Sequence, residues 1–127
     1  MVAVGLAAAL VLALAEGRER SQSAAPPPPA TPAPTARCPA GLANCREASG
    51  RVVYVERVDP DGDGDAHFVL LSRESITAPG LSLVDVKRSL RPQPLPGVGA
   101  RVSAAGPVYR GSHGQRQIEA IELRVLK

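Results

Sequence analysis

The sequence predicts a small all-β domain, a five-stranded closed barrel set behind an N-terminal apolar segment and a disordered Pro/Ala-rich spacer. Three observations predict it. Five runs rich in Val, Leu and Ile are separated by stretches that hold Gly, Pro or Asp. The links between them are short and turn-like. The first 47 or so residues lack the hydrophobic periodicity that a packed core needs. About 80 residues remain for the domain, and a chain that size buries only about 60% of its unfolded surface, so its stability is modest. Aromatic residues make up 2% of the chain, namely Tyr54, Phe68 and Tyr109, so the core must be aliphatic. The net charge of +3 falls short of the dense basic stripe of a dedicated nucleic-acid binder.

Residues 1–15, MVAVGLAAALVLALA, carry no charge. The run suits a signal-peptide core and is short for a membrane span of about 20 residues. Ala13-Leu14-Ala15 fits cleavage before Glu16. No Lys or Arg precedes the run, and the first positive charges, Arg18 and Arg20, come after it. An uncleaved segment would insert in a membrane as an anchor, and those charges would then favour a cytoplasmic location for the rest of the chain. The expectation is export, with the protein secreted or membrane-anchored outside the cytoplasm. Residues 16–47 form the spacer, where Pro, Ala, Ser and Thr favour an extended, solvated chain. Cys38 and Cys45 close this stretch. An even pair in an exported chain is most simply a disulfide, and Pro39 with Gly41 lets the loop turn.

The barrel is expected over residues 48–127. Arg51 to Val58 is the first strand, entered from Gly50. Asp59 to Asp65 holds four Asp, two Gly and one Pro, a composition that fits neither helix nor strand. Ala66 to Ser72 is the second strand and Leu81 to Arg88 the third. Ser89 to Gly99 has three prolines and is too proline-rich for a helix. Arg101 to Arg110 is the fourth strand, with a kink or bulge suggested at Gly106-Pro107. Gly111 to Gly114 is a hairpin loop. Arg116 to Leu126 is the last strand. There Ile118 and Ala120 share one phase while Ile121, Leu123 and Val125 share the other, so a bulge near Ala120 is needed. A short helix competes, because Ile118, Ile121 and Val125 also have helical spacing.

The run of strand, tight acidic turn and two further strands, then PGVGARVSAAGPV and RQIEAIEL, resembles an OB-fold. The positions that carry the resemblance are Gly99, Val102, Gly106, Ile118, Ala120, Ile121 and Leu123, and it covers residues 50 to 126. It implies a barrel that binds a ligand on the face of strands two and three. The sequence departs from the family where a helix often lies between strands three and four; here stands the proline-rich 89–96 stretch.

Four constellations bear on chemistry. Asp59, Asp61, Asp63 and Gly64 match the first half of a calcium loop, with Asp65 at the seventh position. The twelfth position, which should supply a bidentate Glu, is Leu70. The competing interpretation is a solvated hairpin tip. His67 and His113 are the only histidines and lack a third metal ligand. Thermonuclease-like chemistry would need a general base and a phosphate clamp near Asp85, where Val86, Lys87, Arg88 and Gly80 stand instead, so no catalytic residue is assigned. On the expected ligand face, Phe68 with Arg73, Lys87, Arg88 and Arg91 is the candidate binding set.

The resulting expectation is a non-enzymatic, exported OB-like binding module that takes a protein, glycan or oligonucleotide. The alternatives are a calcium-binding or calcium-modulated surface domain working through residues 59–65, and an oligonucleotide-binding OB-fold protein. No cofactor is required, with Ca²⁺ the one ion to consider.

Overall fold

The computed structural model describes residues 23–56 and 62–127, so the apolar segment and the start of the acidic turn, Asp59 and Asp61 included, lie outside the described residues. The chain divides into two units, Met1–Ala30 and Thr31–Lys127. Of the first, residues 23–30 have no regular structure and are exposed. No helix among the described residues is long and apolar enough to cross a membrane.

The second unit is all-β. Its strands are β1 (Cys45–Glu56), β2 (Ala66–Ser72), β3 (Leu81–Val86), β4 (Arg101–Arg110), β5 (Arg116–Glu119) and β6 (Glu122–Leu126). A single 3₁₀ turn, Arg88–Leu90, is the only helical element in the proline-rich connection. The strands close into a ring, β1-β2-β3-β5-β4 and back to β1, with β6 added beside β4. All pairings are antiparallel except β3 with β5. This is an OB-like barrel, as the resemblance implied.

Closure depends on β1, which is six residues longer at its start than the sequence suggests. Its first half pairs with β4 and its second half with β2, and Gly50 and Arg51 pair on both sides. Gly50 has to be glycine here, because a Cβ would sit 2.1 Å from the Leu71 carbonyl oxygen. The register slips between Val52 and Tyr54, a bulge that leaves Val53 and Tyr54 exposed side by side. The bulge expected at Gly106-Pro107 is absent: β4 runs in unbroken register against β1. Gly106 serves instead for close approach, since its Cβ would lie 1.9 Å from the Glu119 carbonyl oxygen.

That close approach explains the end of the barrel. The last element is strand, not helix, and it breaks at the position where its two apolar phases conflict. Ala120 donates its N–H to the Asp85 carbonyl and Ile121 donates to the Ala105 carbonyl, which turns the chain from β5 into β6. One inward row then circles the barrel through Val55, Phe68, Val84, Ile118 and Val108. Phe68 and Val84 have no exposed surface. Burying a side chain such as Phe68 contributes about 1.5–3 kcal/mol. The buried hydroxyls are satisfied in pairs: Ser72 Oγ lies 2.5 Å from Ser82 Oγ, and Ser49 Oγ donates to Ser103 Oγ at 2.8 Å.

The Cys38–Cys45 disulfide is formed. Cys45 is the first residue of β1, so the pair ties the preceding chain to the barrel wall. Ala36 is buried and donates its N–H to Ser103 Oγ, Arg37 donates to Glu122 Oε2, and Cys38 donates to Glu47 Oε1. The barrel thus gathers in residues ahead of position 48.

Three outcomes are expected in urea unfolding. Gly106→Ala should cost about 3 kcal/mol, the upper end for overpacking against a rigid neighbour. Gly97→Ala, which meets nothing within 4 Å, should stay within about 0.5 kcal/mol of the parent. Removing the disulfide by replacing both cysteines with Ser should cost roughly 2–3 kcal/mol, the loop-closure value for a short loop.

Candidate binding face

The outward face of β1, β2, β3 and β5 is organised in rows set by the ladder registers. Glu56, His67, Asp85 and Glu119 form one row, Tyr54, Val69, Leu83 and Gln117 the next, and Arg51, Leu71 and Leu81 a third. The face therefore runs from carboxylates, through an aromatic and aliphatic middle, to an arginine end. Tyr109 extends the middle row beyond Gln117. Tyr54 is 58% exposed, Leu71 57% and Tyr109 53%, a concentration of exposed apolar side chains on a small domain.

The acidic end borders a cleft of about 480 Å³ between the acidic turn and the hairpin loop at residues 111–115. His67 sits at its floor. His67 Nδ1 donates to Glu56 Oε2 at 2.8 Å, and Nε2 lies 3.3 Å from Asp85 Oδ1, at ion-pair distance but outside hydrogen-bonding alignment. Gln117 Nε2 donates to Asp85 Oδ2 at 3.4 Å. Asp85, with Glu56, holds the imidazolium in its charged form up to about 9, against the opposing effect of partial burial. Asp65 is shifted above the usual carboxylate range by burial first, then by the negative charges of Asp85 and Asp63, while the Arg88 backbone N–H pulls the other way. The cleft is thus net acidic, and His113 lines it together with His67.

The sequence-derived candidates fall out differently from their expected grouping. Phe68 is in the core and presents no face to a ligand. Arg88 packs its guanidinium against Gly64, where a Cβ would sit 2.3 Å from Arg88 Nε, and Arg91 Nη1 donates to the Gly64 carbonyl at 2.9 Å. The basic cluster and the acidic turn, read from sequence as two separate sites, hold each other in place. Asp63 Oδ1 accepts the Asp65 N–H at 2.8 Å, a local turn bond. Among the described residues no group of three or more His, Cys, Asp or Glu is placed to hold a metal ion. Lys87 is exposed beside this turn.

Arg73 lies at the other end of the face, and there it has company that the sequence did not suggest. Arg51 and Arg101 stand directly opposite each other on β1 and β4, both exposed. With Arg73 they border a shallow groove of about 450 Å³ that also touches Leu71 and Ser72. Glu74 is its one carboxylate. None of the three arginines has a salt bridge among the described residues. Like charges facing across a ladder are destabilising, and with three arginines to one glutamate this end of the face is net positive.

No protein-family model matches the chain, and no curated protein matches it. Among solved structures it is similar to the N-terminal domain of PriB protein from Thermoanaerobacter tencongensis, whose structure is dimeric. The identity is 20%, the match covers 66% of this chain and 97% of that one, and the TM-score is 0.51. At that identity the likeness is one of fold. The fold and the face together define the class of protein: an OB-like β-barrel domain whose outer face is graded from acidic to basic.

The His67 pairing gives a pH prediction. Its folded-state pKa of about 9 exceeds the ordinary value near 6.5, so its contribution is complete below pH 6.5 and lost as pH rises through 9. The partly open cleft screens the pair, which reduces the contribution to roughly 1 kcal/mol. The melting temperature should fall by about 4–8 °C between pH 6.5 and 9. His67→Gln should flatten that slope, and a parent-like slope in the variant would contradict the assignment.

Proposed function

We propose that the chain is a non-enzymatic binding module that takes single-stranded oligonucleotide on its outer face, with phosphates at the arginine end and bases on the apolar middle. OB-like barrels bind oligonucleotides or oligosaccharides on the face of their second and third strands. The two ligand classes make different electrostatic demands, since phosphates need cations and neutral sugars do not. The observation that carries the choice is Arg51 facing Arg101 with Arg73 beside them, three arginines to one glutamate and none in a salt bridge among the described residues, on the same face as Leu71 and Tyr54. Tyr54 is an exposed ring on which a base can stack, and stacking is worth about 1–3 kcal/mol per base. The carboxylates around His67 repel phosphate from the opposite end, so a strand would approach from the arginine side. The Cys38–Cys45 disulfide supports a home in an oxidising compartment outside the cytoplasm.

The test is fluorescence anisotropy with a labelled deoxythymidine oligomer of about 12 nucleotides, within the usual range per OB barrel. Binding should weaken with salt at a log–log slope of roughly −2, the value for three phosphate contacts on a single strand. Arg51→Ala with Arg101→Ala should reduce affinity at least about tenfold, or ~1.4 kcal/mol. Tyr54→Ala should cost about 1–3 kcal/mol. Affinity unchanged in the double arginine variant, or no binding at low salt, would refute the proposal.

A further inference from the structure

Among the described strands, β6 is the one that has a single strand neighbour. β6 pairs with β4 along one side, and no strand of the described sheet occupies its other side. In an antiparallel ladder alternate residues turn their N–H and C=O groups to opposite sides, so half of the backbone groups of β6 face that open edge. Such an edge is a template for another strand, and proteins commonly blunt it with Lys, Pro or a bulge. Glu122–Leu126 contains none of these. Val125 is 44% exposed along it.

We propose that β6 pairs antiparallel with β6 of a second copy of this chain, about a two-fold axis at Leu123, joining two barrels into a dimer with one continuous sheet. The sequence of the strand is self-complementary in that register. Leu123 faces the partner's Leu123 at the two-fold axis, so the centre of one face of the new ladder is apolar. On the other face Glu122 meets the partner's Arg124. Within one chain Arg124 Nε already donates to Glu122 Oε1 at 2.6 Å, so the dimer would assemble two Glu and two Arg in one alternating cluster. Neighbouring symmetric registers are worse. A shift of one residue sets Leu123 opposite the partner's Arg124. A shift of two sets arginine against arginine or glutamate against glutamate, which is destabilising. A two-fold interface of this kind needs only one surface patch that complements itself. A five-residue strand pair is small beside a standard interface, so the dimer should be reversible and concentration-dependent.

Sedimentation equilibrium over roughly 1–500 µM, the range expected for a small interface, tests it. The parent should show a monomer–dimer equilibrium. Arg124→Glu should weaken association at least about tenfold, because it places Glu opposite Glu. Glu122→Arg combined with Arg124→Glu should restore it to within a few-fold of the parent. A chain carrying both Glu122→Cys and Arg124→Cys, two solvent-accessible positions, should form covalent dimers on mild oxidation, because residue 122 of each copy faces residue 124 of the other. The proposal is overturned by a monomer at every concentration, by a dimer indifferent to Arg124→Glu, by a double swap as weak as the single change, or by the absence of the cross-link.

Discussion

The barrel depends on one strand serving two neighbours at one point. At Gly50 and Arg51, β1 is hydrogen-bonded to both β2 and β4, and the Leu71 carbonyl oxygen occupies the space where a side chain at residue 50 would begin. Without that crossing the sheet stays open and loses the inward row that runs from Val55 through Phe68 to Val108. The same crossing shapes the surface. It fixes Arg51 opposite Arg101, and the bulge just beyond it releases Val53 and Tyr54 outward. A backbone requirement thereby sets the chemistry of the outer face.

Charge on this small domain is segregated. Arg88 packs against Gly64 of the acidic turn and Arg91 donates to its carbonyl, and His67 is held by Glu56 and Asp85. Those contacts make the acidic end a fixed structural unit with a cleft beside it. The arginines at 51, 73 and 101 have no such partners among the described residues. The distinction between paired and unpaired charge, more than the modest net charge, tells where an anionic ligand finds attraction.

Much of the fold was legible in the sequence. The second strand was placed at its observed bounds, Ala66–Ser72, and the fourth at Arg101–Arg110; Asp65 marks the start of the second, and Gly99 and Gly111 flank the fourth. The phase conflict at Ala120 announced the break between β5 and β6. The start of β1 was missed, since CREASG has little β propensity and gains its strand only by pairing with β4. The binding face was less legible. Arg51 and Arg101 are 50 residues apart and look isolated until the register brings them together. His67 with Asp85 had a usable signal: both sit at ends of strands in one hairpin, and folding that hairpin sets them opposite each other. Arg88 and Arg91 looked like ligand-binding residues because sequence shows charge clusters but not what faces them.

The central claim is that ligand binds the arginine end of the outer face. Amide chemical-shift mapping tests it most directly, by titrating the labelled protein with a short deoxythymidine oligomer. Perturbations are expected to concentrate at Arg51, Tyr54, Leu71, Arg73 and Arg101, with the backbone around Asp63, Asp65 and His113 unmoved. Shifts confined to the acidic cleft, or none on the outer face, would contradict it.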